Sequence, residues 1–304
     1  MKKKIIVTFS SLLGVMVIGL GIYIAFLYNH VEKTADKIYE PVKGDTNQQG
    51  QEEINSKKPI SILLMGVDER KNDVGRSDAL IVMTLNPIKE KLQMVSIPRD
   101  TRTEMVGNGT TDRINSAYAL GGVKMAIDTV EEFTGEEMDY YIRVNMEALS
   151  GIVDALGGIN LYNEIEWYDE GYYKKGYHYQ LGNIEMDGPQ ALGYARMRKL
   201  DPNGDFGRNE RQRKVITAII DKGMNISSVA KMDDILAALG ENVKTNITLK
   251  EMGSIEKYYR NTRKNVEQYE VKGEDTKIDG KYFFLVSDEE KETVHNLIAD
   301  SPAE

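Results

Sequence analysis

Three short apolar runs lie close together in the first third of the chain, at Ile60–Met65, Ala79–Leu85 and Leu92–Ile97. Apolar runs of this length that stop at glycine, asparagine or proline are typical of buried strands. The residues Pro87–Lys91 predict a hairpin-like connection between the second and third strands. We therefore expect three buried strands near the start of the folded domain.

Helix and strand patterns alternate along the rest of the chain. This alternation predicts an α/β fold, in which residues 59–304 form an α/β/α layered domain with a central mixed sheet. The predicted helices cover Asn115–Phe133 (with a break at Gly121 and Gly122), Met146–Leu156, Asp187–Tyr194, Asn209–Met224, Ser228–Leu239, Leu249–Thr262 and Asp288–Ile298. The later strands are predicted at Tyr140–Val144, Ile159–Tyr162 and Tyr282–Val286.

The N-terminus predicts a membrane anchor. An uncharged run over residues 5–28 follows three lysines and, as a helix, would be roughly 36 Å long, enough to cross a bilayer. The lysines favour a cytoplasmic N-terminus at residues 1–4 and an extracellular remainder. Residues 29–58 are mostly polar and predict an extracellular tether. We expect a single-pass cell-membrane protein with residues 5–28 as a transmembrane signal-anchor, and a cleaved signal peptide is the alternative.

The segment Ala191–Lys214 is rich in arginine. Arg196 and Arg198 are two residues apart, so on an extended segment they would point to the same side. Arg208 and Gln212 are four residues apart and would share one face of the predicted helix. Guanidinium groups match phosphate oxygens in a bidentate way, so we interpret the segment as a diphosphate clamp. A solvated charged face is the alternative.

Composition narrows the choice of ligand. The chain has 39 Lys and Arg against 48 Asp and Glu, a net charge of −9, which argues against nucleic-acid binding. A local arginine cluster in an acidic chain favours a small polyanionic ligand. The absence of cysteine excludes disulfides and thiolate chemistry, and the three scattered histidines argue against a histidine zinc site.

Carboxylates accompany the arginines. Asp68 and Asp78 lie at the ends of the first and second predicted strands, and Asp205 lies inside the arginine segment. Charged residues at strand ends are where open α/β sheets usually hold ligands, and Mg²⁺ prefers one or two carboxylates plus phosphate oxygens. We therefore predict a site for a diphosphate and Mg²⁺, with Mn²⁺ as the alternative ion. Its predicted members are Asp68, Asp78, Arg76, Arg99, Arg196, Arg198 and Arg208. For the two strand-end aspartates alone, a turn or N-cap is the alternative.

Several segments together resemble the LytR-CpsA-Psr family. They are ILLMGVDER, GRSDALIVMTLN, VSIPRDT, DRINSAYALGG and DGPQALGYARMRKLDPNGDFGRNERQR, and they follow the predicted membrane anchor. Within the family, the likeness is greatest to the Bacillus members that attach wall teichoic acid.

The resemblance implies a fold and an activity. The fold is an α/β/α layer with a largely apolar cavity for a prenyl chain. The activity is a phosphotransferase outside the cytoplasmic membrane. It moves an anionic glycopolymer from an undecaprenyl-diphosphate carrier to the 6-hydroxyl of N-acetylmuramic acid in peptidoglycan and releases undecaprenyl phosphate.

The resemblance also implies residue roles. Asp68 and Asp78 are similar to the family's magnesium ligands. Asp205 is similar to a family aspartate that orients arginine or helps deprotonate the acceptor, and it is expected to act in catalysis with Arg99 and Arg208. The diphosphate is expected to bind Arg76, Arg99, Arg196, Arg198, Arg208 and Gln212. Smaller contributions to the shape of the site are expected from Asp100, Arg102, Arg113 and Asn115.

Three further interpretations stay open. A non-catalytic polyprenyl-diphosphate sensor or a lipid-diphosphate hydrolase could use the same arginines, since the choice between transfer and hydrolysis depends on water exclusion. The aromatic segment Trp167–Gly182 predicts either a sugar-binding loop or a hairpin of packed tyrosines. The apolar faces of Val123–Phe133 and Met146–Leu156 are candidate walls of the prenyl cavity, with ordinary core packing as the alternative.

Overall fold

The computed structural model describes residues 29–42, 54–69, 75–224, 235, 238–240 and 242–299. The predicted transmembrane run over residues 5–28 and most of the predicted helix Ser228–Leu239 lie outside these ranges. Within them, no helix is long and apolar enough to span a membrane.

The described elements alternate much as the sequence patterns predict. The helices are α1 (29–38), α2 (Ser116–Thr134), α3 (Met146–Ala155), α4 (Gly188–Arg196), α5 (Asp205–Met224), α6 (Leu249–Tyr259) and α7 (Asp288–Ile298), and a 3₁₀ turn covers Arg260–Lys264. The strands are β1 (Ile60–Val67), β2 (Ser77–Asn86), β3 (Lys91–Ser96), β4 (Arg102–Met105), β5 (Thr110–Arg113), β6 (Tyr140–Asn145), β7 (Ile159–Asn163), β8 (Trp167–Tyr168), β9 (His178–Tyr179), β10 (Gly182–Met186), β11 (Val243–Thr245), β12 (Asn265–Glu270), β13 (Glu274–Ile278) and β14 (Lys281–Leu285).

The central sheet has six strands in the order β11-β6-β1-β2-β3-β12. The pairs β1–β2, β2–β3 and β11–β6 are antiparallel, whereas β6 runs parallel to β1 and β12 parallel to β3. The end of β1, the start of β2 and the end of β3 therefore lie at one end of the sheet, which we call the upper end.

Alternate side chains of β1 enter two separate cores. Leu63, Met65 and Val67 pack with residues of α2 and α7. Ile60 and Ile62 pack on the other face with residues of α5 and α6. This two-residue alternation is what a strand covered on both faces requires. The predicted α/β/α layering with a central mixed sheet is confirmed.

A third core holds most of the aromatic segment. Trp167 and Tyr179, on the short hairpin β8–β9, stack at 4.5 Å between ring centroids, and both are buried with Tyr194 of α4. These rings pack the protein interior, as the hairpin interpretation predicted. Tyr168 on the same hairpin is 65% exposed.

Part of the stretch predicted as a tether packs against the domain. Ala35 and Ile38 of α1 are buried, and Tyr39 forms a parallel bridge with Thr245 of β11. Ile54 is fully buried in the same core as Ile60. The folded unit therefore includes residues before Pro59.

The sequence patterns missed several polar strands. β12 (NVEQYE) lies at the edge of the central sheet and has one neighbour, β3. An edge strand exposes many side chains, so it lacks the apolar run that identified β1 to β3. The hairpin β4–β5 was missed for the same reason. The glycine break in α2 was predicted correctly, since Gly121 and Gly122 both have non-helical backbone angles.

A candidate anion-binding active site

Charged side chains from three strands meet at the upper end of the sheet. Asp68 follows β1, Asp78 is the second residue of β2, and Arg99 follows β3. Arg99 Nη1 donates a hydrogen bond to Asp78 Oδ1 at 2.8 Å. Just before β2, Gly75 has a φ of 71°, and an added Cβ there would lie 2.5 Å from the Asp68 carbonyl oxygen. Glycine therefore allows the chain to return close to Asp68.

The connection between α4 and α5 brings further arginines to the same place. Arg196 is the last residue of α4, Met197 is buried, and Arg198 follows on the exposed side. Helix α5 begins at Asp205, four residues earlier than predicted, so Asp205 and Arg208 both lie in its first turn.

Asp205 lies among three guanidinium groups. Its carboxylate oxygens are 3.7 Å from Arg99 Nε, 2.5 Å from Arg198 Nε and 3.4 Å from Arg208 Nη1. A further pair, Arg196 Nη2 to Asp68 Oδ1, is 3.8 Å apart. One carboxylate thus connects arginines from the segment after β3, from the α4–α5 connection and from α5.

The positive charge in this cluster is unevenly compensated. Burial alone would lower the pKa of Arg99, but Asp78, Asp205 and Asp100 outweigh it and raise that pKa above its usual value. Burial and the neighbouring charge of Arg99 lower the pKa of Arg208. Arg208 is only 8% exposed, and its Nε and Nη2 have no hydrogen-bond partner in the described part of the chain. An anion bound beside Arg208 would supply both the missing charge and the missing acceptors.

Two clefts open at this cluster. The arginine cleft has a volume of about 580 Å³, and the side cleft has a volume of about 480 Å³. The arginine cleft is lined by Asp68, Asp78, Tyr172, Arg196, Arg198, Lys199, Asp201, Pro202, Gly204, Arg208 and Gln212. The side cleft is lined by Asp68, Gly75, Arg76, Asp78, Arg99, Asp100, Arg113, Asn115 and Ala119.

An apolar cavity of about 310 Å³ adjoins the arginine cleft, with which it shares Arg196 and Gln212. Its apolar walls are Leu64, Ala79, Met83, Ile142, Val144, Leu149, Ile152, Ala195, Val215, Ile216, Ile219 and Ile220. A second apolar pocket of about 330 Å³ shares Met83, Ile142 and Ile220 with it and reaches Arg260 and Arg263. A continuous apolar path therefore leads from the arginine cleft along one face of the sheet.

The sequence patterns suggested α2 and α3 as walls of such a cavity, and only α3 lines it. Leu149 and Ile152 of α3 line it. The suggestion for Val123–Phe133 of α2 is wrong, because this helix packs in the core on the opposite face of the sheet. The other wall comes from α5, which the sequence analysis had connected only with the arginines.

Most of the predicted site residues come together. Arg196, Arg198, Arg208 and Gln212 line the arginine cleft, and Asp68 and Asp78 line both clefts. Arg76, Arg99, Asp100, Arg113 and Asn115 line the side cleft. Asp205 lines neither cleft but contacts Arg99, Arg198 and Arg208. Arg102 lies apart from the cluster: it is exposed over the ring of Phe283, 6.0 Å from its centroid, and lines neither cleft. Sequence reasoning missed Tyr172 and Lys199 as wall residues, and only the aromatic composition around Tyr172 pointed to it.

Two arginines of the same segment are structural. Arg211 is 4% exposed, pairs with Asp201 and lies over the ring of Trp167. Arg213 is 6% exposed and donates to Ser96 Oγ at 2.7 Å. Both hold α5 against the rest of the domain, and neither lines the arginine cleft or the side cleft.

The donor atoms fit a hard divalent cation. No group of three or more His, Cys, Asp or Glu side chains in the described ranges could hold a metal by itself. Asp68 and Asp78 do lie on the wall shared by both clefts. Two carboxylates supplemented by substrate phosphate oxygens are the ligand set that Mg²⁺ commonly uses, so these residues fit the ion.

The fold and the site define a class: an α/β/α layered protein with an arginine-lined anion cleft that opens into an apolar cavity. The LytR_cpsA_psr family model matches residues 25–299, so the chain belongs to this family. A relative in Bacillus mycoides, strain KBAB4, is 45% identical over 98% of this chain and 97% of its own length. That relative is named polyisoprenyl-teichoic acid–peptidoglycan teichoic acid transferase TagU.

Solved structures show the same fold. The crystal structure of Bacillus subtilis TagU matches with a TM-score of 0.64 and 42% identity, over 81% of this chain and 97% of that one. A structure of TagT bound to LIIa-WTA matches with a TM-score of 0.70 and 30% identity, over 86% of this chain and 94% of that one.

Proposed function

We propose that this chain is a phosphotransferase that moves an anionic glycopolymer, wall teichoic acid, from an undecaprenyl-diphosphate carrier to the muramic acid 6-hydroxyl of peptidoglycan. The observation that carries the proposal is the buried, under-compensated guanidinium of Arg208 in a cleft that opens into an apolar cavity. A diphosphate attached to a long hydrocarbon has the anionic and apolar parts that these two spaces would accept.

The relatives support the same reaction. TagU of Bacillus mycoides is named as a transferase of teichoic acid from a polyisoprenyl carrier to peptidoglycan. TagT is described with LIIa-WTA bound. Because the chain matches TagU over nearly its whole length, we extend that reaction to it.

The proposed reaction exchanges one phosphorus–oxygen bond for another. The acceptor hydroxyl oxygen bonds to the phosphorus that carries the glycopolymer, the bond from that phosphorus to the bridging oxygen breaks, and undecaprenyl phosphate leaves. Arg196, Arg198 and Arg208 would bind the diphosphate oxygens and stabilise the charge that develops on the leaving phosphate. Asp205 would hold Arg99, Arg198 and Arg208 in position, and Gln212 would lie where the diphosphate meets the prenyl chain.

Asp68 and Asp78 would hold Mg²⁺, or Mn²⁺, which when bound supplies positive charge to the phosphate oxygens. We further propose that residues 5–28 anchor the protein in the cell membrane with the domain outside. An enzyme anchored beside a membrane-bound carrier needs to search only two dimensions for it.

The test uses the full-length protein in detergent. It is incubated with a short prenyl-diphosphate-linked glycan, peptidoglycan oligomers and Mg²⁺, and the products are followed by mass spectrometry. We expect a phosphodiester-linked peptidoglycan adduct that disappears with EDTA. Free glycan phosphate without adduct would replace the proposal with a hydrolase, and lipid binding without any product would replace it with a sensor.

A further inference from the structure

The two clefts at the active site meet at one pair of carboxylates. Of the described residues, only Asp68 and Asp78 line both the arginine cleft and the side cleft. The apolar cavity shares Arg196 and Gln212 with the arginine cleft, and among the described residues it shares none with the side cleft. The order in space is therefore apolar cavity, arginine cleft, carboxylate pair, side cleft.

This order matters because displacement at phosphorus is in line. The entering and leaving oxygens lie on roughly opposite sides of the phosphorus that is transferred. A prenyl chain in the apolar cavity places the leaving phosphate on the arginine side of the carboxylate pair. The entering hydroxyl must then approach from the other side, where the side cleft lies.

We propose that the side cleft is the acceptor site, and that the buried carboxamide of Asn115 binds the acceptor saccharide there. This inference rests on the proposed function and adds the location of its second substrate. The hydroxyl oxygen enters through the side cleft and bonds to the phosphorus, prenyl phosphate leaves on the arginine side, and the hydroxyl proton leaves to solvent through the side cleft.

Asn115 has the properties of a ligand-binding group. It is 3% exposed, yet its Oδ1 has no hydrogen-bond partner in the part of the chain that the structure describes. Its backbone N–H donates to the Arg99 carbonyl at 3.2 Å, which fixes it beside the catalytic cluster. Burying a side-chain carbonyl oxygen such as Asn115 Oδ1 without a hydrogen-bond donor destabilises the fold. A sugar hydroxyl or an acetamido N–H on the ligand would donate the missing hydrogen bond.

Arg76 adds a charge preference to the side cleft. The Arg76 side chain is exposed and lines this cleft. Among the described residues, Arg76 forms no ion pair with a carboxylate. The family resemblance implied that Arg76 binds the diphosphate, but Arg76 lines the side cleft and not the arginine cleft, so we assign it to a carboxylate on the acceptor instead. The side cleft therefore fits a saccharide that carries an acidic peptide, which is the chemistry of peptidoglycan.

Ala119 provides a test that leaves every charged group in place. It is exposed on the second turn of α2 and lines the side cleft. The next residue, Leu120, is 52% exposed and lines neither cleft. We compare Ala119→Phe with the matched control Leu120→Phe, and we add Asn115→Ala, using full-length protein in detergent.

Two readouts separate the substrates: the Kd for a short prenyl-diphosphate N-acetylglucosamine, and the KM for peptidoglycan oligomers in the adduct assay. We expect Ala119→Phe and Asn115→Ala to raise the acceptor KM about tenfold or more while leaving the donor Kd within about twofold of wild type. Asn115→Ala should also increase the proportion of donor lost to hydrolysis, since water can enter where the saccharide no longer binds. Leu120→Phe should match wild type in both readouts.

If the wild-type protein forms the adduct and Ala119→Phe has an unchanged acceptor KM, this inference is overturned and the proposed function stands. A weakened donor Kd with an unchanged acceptor KM would assign the side cleft to the donor and would also overturn it. A wild-type protein that binds donor and forms no adduct would overturn the proposed function, and this inference with it.

Discussion

At the scale of single residues, the site is defined by which arginines have partners. Arg99 is compensated by three aspartates, whereas Arg208 is buried with two nitrogens that have no acceptor in the described residues. Arg211 and Arg213, only three and five residues further along α5, are occupied by structural contacts. The presence of an arginine in this segment therefore does not show whether it binds ligand or stabilises the fold. The contacts that its guanidinium group makes within the protein do show it.

The first prediction concerns Arg208. Replacing it with glutamine should weaken the binding of a prenyl diphosphate by roughly 10- to 100-fold, since a hydrogen bond to a charged group contributes about 1.5–3 kcal/mol. Arg208→Lys should recover only part of the affinity, because lysine lacks the planar fork. The Kd is measured with Arg102→Lys as the control, whose exposed side chain lies outside both clefts. Full affinity in Arg208→Lys would argue against a bidentate contact.

The second prediction concerns the metal. Asp78→Asn keeps an oxygen that can accept the hydrogen bond from Arg99 but removes the charge that would hold a cation. We expect turnover to fall at least tenfold at saturating donor and the Mg²⁺ concentration for half-maximal activity to rise, while the melting temperature changes little. Activity assays across a Mg²⁺ titration measure both effects. A wild-type Mg²⁺ dependence in this variant would remove Asp78 from the metal site.

At the scale of secondary-structure elements, a close contact between Asp201 and Gly207 helps to position the start of α5. The Asp201 carboxylate packs so tightly against Gly207 that an added Cβ would overlap it. The same carboxylate pairs with the buried Arg211. This contact fixes the direction in which α5 leaves the α4–α5 connection, and it therefore fixes Asp205 and Arg208 in the first turn.

The third prediction follows from that contact. Gly207→Ala should destabilise the domain by about 1–3 kcal/mol, the usual result of inserting an atom into a packed site. For a domain of this size that corresponds to a fall in Tm of about 2–4 °C per kcal/mol. Gly253→Ala is the control, since Gly253 is exposed inside α6 and nothing lies within 4 Å of an added Cβ. Alanine there should stabilise the helix by about 0.5–1 kcal/mol. Equal Tm changes in both variants would contradict the packing argument.

At the scale of the whole molecule, the two faces of the sheet are used differently. The face covered by α2 and α7 packs into a large buried core that includes Leu63, Met65 and Phe133. The face covered by α5 and α6 leaves an apolar path that begins beside the arginine cleft. Because α5 contributes Arg208 to the cleft and Ile216 and Ile219 to the cavity wall, one helix connects the polar and apolar parts of the proposed donor site.

The fourth prediction tests that path. Ile219→Phe should fill part of the apolar cavity and reduce the advantage that a long prenyl chain has over a short one, because each buried CH₂ contributes roughly 0.8 kcal/mol. The measurement is the ratio of Kd values for long-chain and short-chain prenyl diphosphates. Val123→Phe on α2, on the opposite face, should leave the ratio unchanged. If the ratio changed in Val123→Phe and not in Ile219→Phe, the prenyl chain would bind on the face of the sheet covered by α2, and the proposed path would be wrong.

Local sequence patterns determined the parts of this protein that depend on neighbouring residues. The apolar runs identified β1, β2 and β3, because a strand buried on both faces needs apolar side chains throughout. The positions of Asp68, Asp78 and Arg99 at strand ends, and the spacing of Arg208 and Gln212 on one helix face, predicted correctly that these side chains lie together. The family was identified from the same segments.

Only the tertiary structure decided how these parts combine. It separated Arg208 from Arg211 and Arg213, and it put the apolar cavity against α3 and α5 rather than α2. It also opened two clefts on either side of Asp68 and Asp78. The physical reason is that burial, pairing and cavity shape depend on contacts between residues far apart in the chain. An apolar helix face has the same pattern whether it fills a closed core or lines a cavity.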